Sequence, residues 1–95
     1  MEAVLFSGRM NWRHDRKRRF YSAWLERDLL GDWVLIRTWG SLDTRLGRGA
    51  QEVVPDYAAG VEALRRLDRR RRRRGYRRDH SGHLFRRPLL TDRKW

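Results

Sequence analysis

The sequence predicts an α+β domain, an antiparallel β-sheet of about four strands with one long helix packed across it. Three observations lead there. Residues 32–40 read Asp-Trp-Val-Leu-Ile-Arg-Thr-Trp-Gly, a β-branched and aromatic run entered through Gly31 and left through Gly40, which is the composition of a strand bounded by turns. Residues 57–74 carry Tyr57, Val61, Leu64 and Leu67 at spacings of three and four, the stripe of an amphipathic helix. The strand-like runs all precede that helix, so hairpins are expected instead of alternating crossovers.

Taken in order, residues 2–7 contain Ala-Val-Leu-Phe and suit a first strand that Gly8 ends. The basic segment 9–19 reads as a hairpin loop, centred on residues 11–16, with Trp12 exposed or half-packed. Residues 20–26 form the second strand. A side-chain period of two puts Tyr21, Ala23 and Leu25 on one face and Phe20, Ser22, Trp24 and Glu26 on the other. Residues 27–31 connect it to the central strand, with Leu29 and Leu30 expected beneath the sheet.

On the central strand, Val34, Ile36 and Thr38 share one side, while Trp33, Leu35, Arg37 and Trp39 share the other. Residues 40–49 make a ten-residue loop with three glycines that carries Arg45 and Arg48. A short fourth strand covers residues 50–54. Pro55 stops its pairing and Asp56 caps the helix. Gly60 is a poor interior helical residue, which places the helix start near it. Gly75 suits the position just past the helix end.

One domain is expected from 95 residues, with residues 1–78 as its body and 79–95 as a loosely ordered basic tail. The absence of cysteine excludes a disulfide framework, a thiolate metal site and a cysteine nucleophile. No secretory signal and no apolar run of membrane-spanning length is visible, so a cytoplasmic protein without a membrane partner is expected.

The net charge of +12 is unevenly placed: residues 1–30 carry +3, residues 31–60 carry −1 and residues 61–95 carry +10. A neutral scaffold with a basic end is the footprint of a polyanion binder. Its centre is the run Arg69, Arg70, Arg71, Arg72, Arg73 and Arg74, continued by Arg77 and Arg78. On a helix such a run includes like-charge pairs four residues apart, each costing roughly 0.2–0.5 kcal/mol. A phosphate backbone relieves that repulsion, and the planar guanidinium matches phosphate well.

Catalysis finds no constellation. His80 and His83 have a two-ligand spacing without a third ligand nearby, and the serines lack a recognisable base motif. Gly47-Arg48-Gly49 lacks the lysine and the context of a phosphate loop. A non-enzymatic module without cofactor or metal is expected.

Trp39-Gly40 after an apolar strand, Phe20-Tyr21 before it, and Gly75-Tyr76 after a helix together resemble the WGR domain, in its small stand-alone bacterial form. The similarity covers residues 2–78, and the spacing from Phe20 to Gly40 needs no gap. It departs where Ser41 replaces the name-giving arginine and Asp43 a following glycine. The resemblance implies the same sheet-and-helix fold and contact with the DNA backbone, with Trp39 packing on sugar at a duplex end or break and Arg37 reaching an adjacent phosphate. In the poly(ADP-ribose) polymerases this module precedes a separate catalytic domain.

Beside Trp39 and Arg37, the expected phosphate contacts are Arg45 and Arg48 in the glycine-rich loop, Lys17, Arg18 and Arg19 before the second strand, and Arg70, Arg73, Arg74 and Arg77 at the helix end. The expected partner is DNA or RNA, bound without sequence specificity, and a nucleoid association follows if it is DNA. The alternative is a protein-interaction module whose arginines meet an acidic surface.

Overall fold

The computed structural model describes residues 9–44 and 47–80. Among these residues five strands and one helix follow in the order β1 (Met10–His14), β2 (Arg19–Arg27), β3 (Trp33–Ser41), β4 (Gly47–Val54), α1 (Tyr57–Arg73) and β5 (Arg77–Arg78). They build one antiparallel sheet ordered β4-β3-β2-β1-β5, with α1 across one face. The expected α+β architecture is therefore present, with one strand more than expected.

Register assigns the faces. Tyr21 pairs with Trp39, Ala23 with Arg37, and Leu25 with Leu35. Met10 pairs with Ala23 and Trp12 with Tyr21. These residues face α1, and Trp12, Tyr21, Ala23, Leu35, Val54, Leu64 and Leu67 form the core beneath it. On the opposite face Trp24, Val34 and Ile36 are buried as a second cluster. Ser22 there donates its hydroxyl to Asn11 Oδ1 at 2.7 Å, a polar pair satisfied inside the sheet.

The helix ends are set by local chemistry. Asp56 Oδ1 accepts from Ala59 N–H at 2.8 Å, the expected cap. At the other end Tyr76 N–H reaches Arg71 O and Gly75 N–H reaches Arg72 O, the paired bonds of a Schellman motif. Gly75 has φ of +91°, a left-handed conformation that favours glycine, and a Cβ there would also crowd the His14 ring.

Five expectations are corrected. Residues 10–14 are strand β1, not a hairpin loop; the expected strand at 2–7 lies outside the described residues. Trp12 is 0% exposed, because β1 turns it under α1, where its indole N–H donates to Asp68 Oδ1 at 2.9 Å. The helix starts at Tyr57, before Gly60, which lies inside it since a Cβ would come within 2.5 Å of Leu25. Leu29 and Leu30 are 104% and 86% exposed. There Asp28 Oδ1 accepts from Leu30 and Asp32 N–H, closing a turn that projects both leucines past the sheet. Finally, β4 begins at Gly47, so Arg48 belongs to a strand and not to the loop.

Asp68 fastens helix to sheet. Burial pulls its carboxyl upward, yet hydrogen bonds from Trp12 and Arg72, with the charges of Arg72 and Arg78, outweigh that and hold it below its ordinary value. A carboxylate with a lowered folded pKa contributes stability above its unfolded value, near 4, and loses it as pH falls through the folded value. Asp68→Ala also leaves a buried indole N–H unpaired. It is expected to cost ~1–3 kcal/mol at neutral pH and to flatten the stability loss as pH falls below about 4, measured by urea unfolding across pH.

Candidate nucleic-acid interface

The site residues are presented by the helix-side face of β3 and the flank of α1. Trp39 lies directly opposite Tyr21 on β2 and Arg48 on β4. The two aromatic rings stack with centroids 5.7 Å apart and planes 17° from parallel. The Arg71 guanidinium lies 4.5 Å over the Tyr21 ring and 5.0 Å over Tyr76. A chain of arginine, tyrosine and tryptophan therefore runs across the sheet. Trp39 ends it half-buried, held from one side and open on the other.

The open side is a concavity of about 580 Å³ lined by Arg19, Trp39, Gly40, Ser41, Thr44, Gly47 and Arg48. Gly40 and Gly47, which pair across β3 and β4, contribute to its wall. Arg19 and Arg48 have no carboxylate partner among the described residues, and they flank the tryptophan with positive charge. Ser41, in place of the family's arginine, offers a hydroxyl here, although Ser41 Oγ already accepts from Asp43 N–H at 2.9 Å.

A second, smaller cleft of about 160 Å³ opens between α1 and the β3–β4 pair, bounded by Leu35, Arg37, Glu52, Ala63, Arg66, Leu67 and Arg70. Three guanidinium groups face one carboxylate. Arg37 meets Glu52 at 3.9 Å, at the edge of an ion pair. Its buried Nε has no hydrogen-bond partner among the described residues. Because Arg37 and Trp39 are two residues apart on one strand face, the cleft and the concavity lie side by side.

The structure sorts the expected residues. Trp39, Arg37, Arg48, Arg19 and Arg70 come together. Arg73 and Arg74 are exposed at the helix end, beyond the two cavities. Arg18 does not join them, since Asp43 takes its guanidinium at 2.8 Å and the Arg18 hydrogen bond holds the Asp43 carboxyl below its usual range. Arg77 is also elsewhere, bonded to Asp15 at 2.7 Å on the far side of β1. Lys17 is exposed in the β1–β2 turn, with its N–H donating to His14 Nδ1 at 3.1 Å. Arg45 lies outside the described residues.

The sequence alone leaves open a register in which Phe20 and Trp24 share the face of Trp39, and the observed pairing excludes it. Phe20 pairs with Gly40 and Trp24 with Ile36, which puts both on the opposite face. Sequence reasoning missed Tyr21 and Arg71 as supports, and Arg66 as a member of the cleft. Helical spacing supplies the signal, since Arg66 and Arg70 share a flank four residues apart, and Arg71 follows Leu64 and Leu67 on the buried stripe.

Among the described residues no group of three or more His, Asp or Glu is placed to hold a metal ion. No described helix is long and apolar enough to cross a membrane.

Two neighbours in the arginine run should differ sharply. Arg71→Met removes a half-buried cation from two aromatic rings and is expected to cost ~1–2 kcal/mol. Arg73→Met, fully solvated, should change stability by less than about 0.5 kcal/mol; chemical denaturation of both variants measures the difference. Compared with known proteins, the chain matches no family model, no curated protein and no solved structure.

Proposed function

We propose that this chain is a non-catalytic module that binds a nucleic-acid backbone, DNA in the first instance, without reading base sequence. The observation that carries the proposal is the pairing of a buttressed, half-open Trp39 with two cavities whose arginines outnumber their carboxylates. Stacking on Tyr21 leaves the tryptophan preorganised for a sugar or an unstacked base, at little entropic cost on binding. Arg19 and Arg48 on one side, with Arg37, Arg66 and Arg70 on the other, flank Trp39 with cations suited to phosphate contact. The likeness to the WGR domain supports the same reading, because it implicates Trp39 and Arg37 independently. Among the described residues the first two turns of α1 carry no arginine or lysine, so base-edge readout is not part of the proposal.

Solvated arginines of the helix end, Arg73 and Arg74 among them, would add long-range attraction that accelerates association. A protein partner is favoured by a different observation. Leu29 and Leu30 project from the β2–β3 turn at the end of the sheet where α1 begins, fully exposed. Such a tip is an apolar anchor, and it does not involve the arginines.

Fluorescence anisotropy against blunt duplex, nicked duplex and single-stranded RNA over a salt series tests the proposal. With about six phosphates neutralised, affinity for duplex should fall with a log–log slope of roughly −5. Trp39→Ala, its fold verified by circular dichroism, should weaken binding at ends or nicks about tenfold or more, as the loss of ~1–3 kcal/mol of stacking requires. Each of Arg37→Ala, Arg66→Ala and Arg70→Ala should lower the slope by about one. Binding that ignores Trp39 would leave only a nonspecific arginine grip, RNA preference would move the partner class, and no binding at moderate salt would turn the proposal toward an acidic or apolar protein partner.

A further inference from the structure

Among the described residues, β4 forms one edge of the sheet, and it is the longer of the two edges. The opposite edge, β5, has two residues, both arginine, too short and too repulsive to template another strand. An edge strand exposes unpaired N–H and C=O groups and is usually shielded by charge, proline or brevity. β4 has eight residues, two of them glycine, and Pro55 only follows it. Its two charges are Arg48 and Glu52, both on the α1 face, with Ala50 midway between them.

We propose that β4 pairs antiparallel with the β4 of a second copy of this chain, about a two-fold axis at Ala50, joining two sheets into one. A two-fold perpendicular to the sheet keeps α1 of both copies on the same face. Directly opposed residues must then share a face, which leaves a short list of registers. Centring on Arg48 opposes like charges, as does centring on Glu52. Centring on Gly49 sets Arg48 against Ala50, and centring on Gln51 sets Glu52 against Ala50. Only the axis at Ala50 places Arg48 across from the partner's Glu52, and does so twice.

The remaining neighbours fit that register. Gln51 faces the partner's Gly49, and Val53, 63% exposed, faces the partner's Gly47, where no side chain obstructs it. Glu52 is available, since its contact with Arg37 is 3.9 Å long and its side chain is 54% exposed. Main-chain hydrogen bonds supply the attraction and the two crossed ion pairs supply the register, as in other pairings along a sheet edge. The inference does not rest on nucleic-acid binding; in the dimer Arg48 serves the partner's Glu52, and the phosphate contacts of the proposed function fall to Arg19, Arg37, Arg66 and Arg70.

Sedimentation of the full chain without nucleic acid, over a concentration series, tests it. The wild type should show a reversible monomer–dimer equilibrium. Arg48→Glu and Glu52→Arg should each weaken self-association about tenfold or more, because each opposes like charges twice. An equimolar mixture of the two variants should restore dimerisation, since every crossed pair is again opposite in sign. A wild type that stays monomeric throughout would overturn the proposal, as would single variants that dimerise like wild type or a mixture that fails to recover. The chain has no cysteine, so Ala50→Cys adds a test of register. Antiparallel partners lie ~4.5–5.5 Å apart at Cα, within disulfide reach, so Ala50→Cys should cross-link readily on oxidation. Gln51→Cys, set against glycine, should not, and equal cross-linking of both would refute the register.

Discussion

The hydrogen bond from Trp12 Nε1 to Asp68 Oδ1 sets how α1 lies on the sheet. Trp12 is fully enclosed, and a buried indole N–H without a partner is costly. The partner comes from the helix, so the bond fixes the helix in rotation and in translation along the sheet. With Asp68 turned toward β1, Leu64 and Leu67 enter the core and Arg71 is carried over Tyr21. Arg66 and Arg70 fall on the other flank, above Arg37. The arrangement of the candidate site follows from one polar contact on the far side of the helix.

That dependence explains why six consecutive arginines have different fates. Arg72 returns to Asp68 at 3.1 Å. Arg69 reaches Glu62 at 3.9 Å. Arg71 sits on aromatic rings, where its charge is used for packing. Arg70 lines the cleft, and Arg73 and Arg74 stay in solvent. A run that looks uniform as sequence is sorted by the helical period into structural cations and available ones. Exposed like charges on the available side lower stability slightly, and a bound polyanion would remove that cost.

Much of this was legible beforehand. The faces of β2 and β3 and the stripe of α1 follow from periods of two and 3.6, and the cap at Asp56 and the glycine at the helix end follow from capping chemistry. What was hidden has a common cause. Residues 10–14 look like a charged loop because Arg13 and His14 interrupt them, and only a partner for the Trp12 indole shows that the segment is buried. Arg48 looks like a loop residue because its neighbours are glycines, which weaken strand propensity without preventing edge pairing. That Tyr21, and not Phe20 or Trp24, lies beside Trp39 follows from the β2–β3 register, and local pattern does not contain it. Trp39 and Arg37 were found because they share a strand face, whereas Arg66 and Tyr21 needed the helix and a neighbouring strand in place.

The central claim is that Trp39 and the arginines around it form one binding surface. Titrating the labelled chain with a short nicked duplex, while following indole and guanidinium N–H resonances by NMR, addresses it directly. The account expects concerted shifts at Trp39, Arg37, Arg48, Arg66 and Arg70, with Trp24, Arg18 and Arg77 unmoved. Shifts concentrated at Arg77 and the β1–β5 edge, or spread evenly over every arginine while Trp39 stays still, would contradict it.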